Sequence, residues 1–340
     1  MRRPLIAAAL AAAVLAGAAA PAGATADAVA NRLSGADRYV TARAIATSTF
    51  TSSTVAILVG GESFADALPA AYLSGAEQAP LLLTPAAALP AGLLNTLDAL
   101  KVDGVQVVGG TSSVSAHVVS QLEAAGLSVE RLAGANRYET ARKVAELLPI
   151  EAVGKFGAGA AAIVVTGESF PDALAAGPLS ASQGLPILLT NSAGLHDQAK
   201  AALQSLGIKQ VLIIGGTGAV STSSENQIKA LGIAVRRIAG ASRQATAVAA
   251  AEVAVGELSY PLTNVELARG DSFADALAGG TRGGKVFAPV LLTAGTTLGT
   301  DARAFIKKYT GTIKTIDVLG GTGGISAAVA NDAVAAAKGQ

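Results

Sequence analysis

Three observations predict an α/β fold of three tandem, small Rossmann- or flavodoxin-like parallel-sheet modules in a pseudo-threefold arrangement. Four short motifs recur in the same order three times along the 340 residues. Continuous β-rich runs such as TVAILV, APLLL and VQVV, bounded by Gly, Pro or Thr, alternate with Ala/Leu-rich helical stretches such as LPAGLLNTLDAL and AHVVSQLEAAG. Finally, the first repeat opens on a strand with no repeat before it, whereas the third ends in a helix with no strand after it.

The repeated segments define the organisation. RLSGADRYVTA (32–42) returns as RLAGANRYETA (131–141) and RIAGASRQATA (237–247). APLLLT (79–84) returns as LPILLT (185–190) and APVLLT (288–293), and VVGGTSSVS (107–115) as IIGGTGAVS (213–221) and VLGGTGGIS (318–326). The fourth motif is GESFADAL (61–68), GESFPDAL (167–174) and GDSFADAL (270–277). Repeat starts 99 and 106 residues apart are too long for a solenoid unit and suit a small domain, giving expected modules at 32–130, 131–236 and 237–340. Unbroken apolar strands separated by helices imply a parallel sheet covered on both faces, with its βα loops along one edge. Each R-[LI]-x-G segment reads as a strand following the last helix of the preceding repeat. The first such strand is therefore expected to complete the sheet of the third repeat and close a ring.

The amino terminus, MRRPLIAAALAAAVLAGAAAPAGATADA, has two arginines, an apolar stretch from Leu5 to Ala20 and small residues allowing cleavage after Ala24 or Ala26. It reads as a secretory signal peptide over residues 1–26; the alternative, a membrane anchor, falls short of the roughly 20 apolar residues needed to span. The chain contains no Cys, which removes disulfides, thiolate metal sites and a lipidated cysteine, and leaves stability to packing. With no second long apolar segment and no sorting signal before the final AAAKGQ, retention at a surface is expected to be noncovalent.

Charge excludes a broad polyanion-binding face, and with it nucleic acid. Removing Arg2 and Arg3 with the leader leaves 23 basic residues against 24 acidic ones. Any anion site must be local. Trp is absent and aromatic residues make up 4% of the chain, so stacking platforms for sugars are not its main device.

In G-[ED]-S-F-x-D-A-L two acids four apart suggest acid/base chemistry, but the position after a strand and before a helical run also fits a capping box. In that preferred reading Ser63, Ser169 and Ser272 are N-caps, and Asp66, Asp172 and Asp275 reach back to them. In R-[LI]-x-G-x-x-R, Asp37, Asn136 and Ser242 share N-capping ability, which places Arg38, Arg137 and Arg243 at the first helical position, against the macrodipole. Such arginines require a partner. It is either an internal acid, namely Glu62, Glu168 or Asp271, in the preferred reading, or an external phosphate or carboxylate, and both hold if the acid orients the arginine.

The Gly pairs of G-G-T expose amides that cradle an anion or simply turn the chain. They lack a dinucleotide spacing, and GGTRGGKV (279–286) follows a helix and has Val286 where a phosphate-binding loop needs Ser or Thr, so no nucleotide cofactor is expected. The two histidines, His117 and His196, fall in non-equivalent helices as solvated residues, so no repeated metal or Ser-His-Asp site is expected. A glycosidase needs only two carboxylates and stays open, although tandem repetition favours avidity over three active sites.

The four ordered motifs, R-[LI]-x-G-x-x-R-[YQ], G-[ED]-S-F-x-D-A-L, P-x-L-L-T and G-G-T-x-x-[VI]-S, resemble the type 2 cell-wall-binding repeat family of Gram-positive surface proteins. The resemblance implies three modules in a triangle, held noncovalently by an anionic secondary wall polymer, teichoic-acid-like or another wall polysaccharide. It also implies a binding surface involving Arg38, Arg137 and Arg243 and the segments around Leu82, Leu188 and Leu291. Gln244 and Asp271, where the other repeats have Tyr and Glu, mark the third site as the one most altered. The leading expectation is an exported, non-enzymatic wall-binding protein; the alternative is a peptidoglycan-remodelling enzyme or its accessory factor.

Overall fold

Alternation of apolar strands with small-residue helices produces three sheets, each with four parallel strands. The computed structural model of the protein describes residues 27–157 and 159–340, and the expected leader over 1–26 lies outside them. Strand β1 (Val29–Leu33) precedes helix α1 (Arg38–Thr49). The first sheet contains β2 (Val55–Gly60), β3 (Leu81–Thr84), β4 (Gly104–Val108) and β5 (Ser128–Leu132), joined through α2 (Ala67–Glu77), α3 (Leu93–Ala99) and α4 (Ala116–Ala124). After α5 (Arg137–Glu146) comes a short strand β6 (Lys155–Phe156), antiparallel to β7 (Gly159–Thr166). The second sheet continues with α6 (Ala176–Gln183), β8 (Ile187–Thr190), α7 (Asp197–Ser205), β9 (Gln210–Ile214), α8 (Thr222–Ala230) and β10 (Ala234–Ile238). The third set is α9 (Arg243–Gly256), β11 (Asn264–Arg269), α10 (Ala274–Val286), β12 (Val290–Thr293), α11 (Thr300–Lys308), β13 (Thr315–Leu319) and α12 (Ala327–Ala337).

The strands run in the order β3, β2, β4, β5 in the first sheet, β8, β7, β9, β10 in the second and β12, β11, β13, β1 in the third. The ring therefore closes as expected. Strand β1 pairs in parallel with β13, from Val29 opposite Thr315 to Leu33 opposite Leu319. Arg32 Nη1 donates to the carbonyl of Gly320 at 2.7 Å, as Arg131 does to Gly109 at 2.7 Å and Arg237 to Gly215 at 2.8 Å. Each sheet thus takes its fourth strand, and an arginine clamp, from the segment that opens a neighbouring repeat.

Three local cores lie on the outer sides of the sheets, and a fourth, central core draws on all three modules through α2, α6 and α10. These helices are rich in Gly and Ala because their backbones meet. A Cβ on Gly177 of α6 would come within 3.0 Å of the Cα of Gly280 in α10, and one on Gly75 of α2 would come within 2.1 Å of the Ala181 carbonyl oxygen. The stretch GGTRGGKV lies in this packed helix α10, not in a loop, which removes the phosphate-loop geometry altogether. No described helix is long and apolar enough to cross a membrane.

The third module differs from the others at its centre. Glu266 of β11 and Asp317 of β13 are fully buried against Arg282 of α10, at 3.1 Å and 2.8 Å. The first module has Ile57, Gln106 and Leu73 at the same places, and the second has Ile163, Leu212 and Leu179. Burial, only partly offset by Arg282 and reinforced by the second carboxylate, pushes Glu266 up to about 8. The pair is costly to desolvate, so it is a poor source of stability while both acids are charged.

Two outcomes follow for stability. Replacing Gly75 by Ala would gain up to about 1 kcal/mol of helix propensity, but the clash with Ala181 outweighs it. Urea titration of G75A should show a net loss of about 1–3 kcal/mol, while G256A, at a helical glycine facing open space, stays neutral or gains slightly. The folded protein holds the Glu266 proton more tightly than the unfolded chain, so this group's contribution is complete below the ordinary carboxylate range and declines as pH rises through about 8. The thermal midpoint should fall between pH 6 and 9 in the parent protein and fall less in E266Q.

Candidate binding site

The clefts are assembled at the ends of the strands. Strand β2 stops at Gly60 and α2 starts only at Ala67, so the first residues of GESFADAL form a turn. This corrects the capping-box reading. Ser63, Ser169 and Ser272 lie upstream of the helix starts, and Asp66 and Asp172 at the boundaries, like Phe273 in the third module, make no side-chain cap. The helical bonds begin instead from the Phe64, Phe170 and Phe273 carbonyls, which accept from Leu68, Leu174 and Leu277 at 3.0, 3.2 and 2.9 Å. The three phenylalanines meet on the pseudo-threefold axis with ring centroids 5.6–6.2 Å apart. The three rings are partly buried against the central core, so each gains part of the roughly 1.5–3 kcal/mol of full burial together with about 0.5–1.5 kcal/mol per ring pair. The sum over three rings exceeds the contribution of a cap, about 1 kcal/mol.

The aspartates serve another contact. Asp66 Oδ2 accepts from Ser113 Oγ at 2.8 Å and lies over Gly109, where a Cβ would come within 2.8 Å of it. Asp172 covers Gly215 and Asp275 covers Gly320 in the same way, and all three glycines have φ between +99° and +127°. The G-G-T turn and the G-[ED]-S-F turn are thus locked together in each module. Burial pushes the Asp275 carboxyl up, against the pull of Arg38 and Arg269.

Asp37, Asn136 and Ser242 cap α1, α5 and α9 as expected, accepting from Val40, from Tyr138 and Glu139, and from Ala245. Arg38, Arg137 and Arg243 are therefore the first helical residues, but the ion pairs expected with Glu62, Glu168 and Asp271 are not made. Each arginine donates through Nη1 to a motif carbonyl instead, Gly61, Gly167 or Gly270, at 2.6 Å. The carbonyl is fixed by the turn, whereas the acids are exposed and well solvated. Glu168 accepts from the Ser192 amide at 3.0 Å, and Asp271 takes Arg269 at 2.7 and 2.5 Å. Arg38 also crosses to the third module, 5.6 Å from the centroid of Phe273.

Leu82, Leu188 and Leu291 do not belong to any binding surface. They are 0% exposed, in the outer cores beneath β3, β8 and β12, because every residue of these short strands is covered on both faces. Of the histidines, His117 is exposed on α4 as expected. His196 instead caps α7 through its ring nitrogen and stacks on Tyr138 at 3.9 Å. Burial, and then the nearby Glu168, push the Tyr138 phenol up.

What these contacts leave open are clefts shared between repeats. One, of about 580 Å³, is lined by Glu62, Ser63 and Asp66, by the turn from Gly110 to Ser113, and by Asn136 and Arg137 from the next repeat. Its counterpart, of about 340 Å³, is lined by Thr166, Ser169, Asp172, Gly216, Ser242 and Arg243. Both are polar, open and furnished with hydroxyls, amides and one guanidinium, with two carboxylates in the first and one in the second. Such an open, polar surface offers hydrogen-bonding and charged groups to a ligand rather than the enclosed, apolar lining of a typical small-molecule pocket. The sequence reading found the arginines and acids but missed the phenylalanines and the composite wall. Phe64, Phe170 and Phe273 belong to the G-[ED]-S-F motif, but nothing in its local spacing signals that the three rings converge.

Three tandem modules with open polar clefts at two of their junctions define a binding scaffold. The chain belongs to the family described as Cell wall binding domain 2 (CWB2), matched over residues 32–119, 131–225 and 237–330. It is 33% identical over 300 residues to the N-acetylmuramoyl-L-alanine amidase LytC of Bacillus subtilis (strain 168), covering 88% of this chain and 57% of that protein. It is likewise 33% identical over 303 residues to the amidase enhancer of the same strain, covering 89% of this chain and 40% of the relative. The solved structure of Cwp6 from Clostridium difficile shares the fold with a TM-score of 0.81 at 24% identity, covering 97% of this chain and 51% of that one. The chain thus spans about half the length of the relatives it matches.

The corrected helix starts make a discriminating pair of substitutions. N136A should cost about 1 kcal/mol in urea titration, since it removes a cap that accepts two amides. S63A should change stability by less than about 0.5 kcal/mol, and an equal loss in both would restore the capping box.

Proposed function

We propose that this is an exported, noncovalent wall-binding protein whose modules attach to an anionic secondary cell-wall polymer of teichoic-acid or related type. The observation that carries the reading is the composite cleft in which Arg137 faces Glu62 and Asp66 across a turn of exposed amides and hydroxyls. A guanidinium with one N–H committed to Gly167 keeps donors for a phosphate or carboxylate, and the carboxylates accept from sugar or polyol hydroxyls. Membership of the wall-binding family supports the partner, and the leader-like residues 1–26 support export.

A second reading, an accessory part of a peptidoglycan-remodelling enzyme, is favoured by the names of the two B. subtilis relatives, an amidase and an amidase enhancer. In that case the described modules act as the targeting portion.

Purified protein should sediment with isolated Gram-positive walls and lose that binding once phosphodiester-linked polymers have been chemically stripped. Raising salt should weaken it, because a few exposed arginines carry the charge contacts. Undiminished binding to stripped peptidoglycan sinks the polymer reading, and a cleared zone in a wall-substrate gel favours the enzyme.

A further inference from the structure

The third cleft is built from the same segments as the other two but ends its central strand differently. Gly60 and Thr166 are the last residues of β2 and β7, opposite Thr84 and Thr190, and both line the open clefts. The residue in the same register of β11, opposite Thr293, is Arg269. Its side chain passes where the neighbouring residues have lost theirs. Arg269 Cδ lies 3.3 Å from the position of a Cβ on Gly324, and Nε lies 3.6 Å from one on Gly295. The other modules have Ser113 and Ala219 in place of Gly324, and Ala86 and Ser192 in place of Gly295.

The guanidinium then closes on Asp271 through two hydrogen bonds, Nε to Oδ1 at 2.7 Å and Nη2 to Oδ2 at 2.5 Å. This bidentate pair engages the acid that corresponds to the solvent-exposed Glu62 of the first cleft, and it commits the fork that would otherwise meet a ligand. The pairing also lowers the Asp271 carboxyl through its bonds to Arg269, which favours the charged, paired form.

We propose that Arg269 is a built-in plug: resting on the polymer-binding reading above, the ring offers two working clefts and a third occupied by its own arginine. Repetition supplied three sites, and the exchange of one strand-end residue, with two glycines beside it, converted one of them into a closed surface. Arg269 thereby determines how many polymer segments the ring can hold at once.

The test uses full-length mature protein and isolated Gram-positive walls in a sedimentation assay. Gly110, Gly216 and Gly321 occupy equivalent positions in the three turns, and a Cβ on any of them meets open space, so tryptophan can be placed in each cleft separately. G110W and G216W should each weaken wall binding by about tenfold, whereas G321W changes it by less than about twofold. R269T, which restores the residue of the second module, should tighten binding by about threefold or more, and adding G321W should cancel that gain. Circular dichroism melts check that each variant is folded. Weakening by G321W equal to the other two, or weaker binding by R269T, overturns the plug while leaving the polymer reading intact; the latter result makes Arg269 a ligand contact. Binding unchanged in all three tryptophan variants overturns the clefts as the site and the plug together.

Discussion

The contact on which this architecture depends is the near-touching of three helix backbones. Helices α2, α6 and α10 approach so closely that glycine stands on both sides at Gly177 and Gly280, and a single added methyl at Gly75 would overlap a carbonyl. Dispersion between closely packed backbones and alanine side chains adds to the aliphatic cores of the modules. Such close packing also accounts for the glycines within these helices, Gly75, Gly177, Gly279, Gly280, Gly283 and Gly284. Because the three helices converge, the turns preceding them converge as well, and Phe64, Phe170 and Phe273 close the top of the axis.

Closure of the ring extends this constraint to the sites. Each sheet borrows its fourth strand from the segment that begins a neighbouring repeat, and the helix that follows carries the cleft arginine. A cleft therefore has one wall from the G-[ED]-S-F and G-G-T turns of one repeat and the other from the next repeat's R-[LI]-x-G-x-x-R. No repeat taken alone contains a complete site. In the third case the second wall comes from the opposite end of the chain, through β1 and Arg38, so the strand pairing of Val29–Leu33 brings Arg38 to the third module as well as completing its sheet.

What could be read in the sequence was what is local or periodic. Strand and helix alternation, the ring closure and the caps at Asp37, Asn136 and Ser242 depend on nearest neighbours or on repeat phase, and they appear as expected. The reading of Ser63 and Asp66 failed because a distant demand, burial of three rings from three repeats, moved the helix start. The arginine partners failed for a related reason: a carbonyl held by tertiary packing competes better than an exposed acid, and no spacing rule reports where that carbonyl will point. Leu82, Leu188 and Leu291 came from the family resemblance alone, and the two-sided covering of their strands hides them. The buried Arg282, Glu266 and Asp317 group is the least legible, since its members lie in three separate elements and no local spacing links them.

The electrostatics of the clefts restrict what can occupy them. In the first, one guanidinium faces two carboxylates, so a bare polyanion gains one attraction and meets two repulsions at close range. Near-neutral overall charge gives no long-range compensation. On the proposed polymer reading, a chain in which anionic groups are separated by hydroxylated units would escape the conflict, its charge meeting the arginine and turn amides and its hydroxyls donating to Glu62 and Asp66. Discrimination then rests on the spacing between charge and hydroxyl along the polymer. The second cleft sets one carboxylate, Asp172, against Arg243, so the two clefts would not make equal demands on a chain, and a ligand meeting both would dissociate more slowly than one meeting either alone.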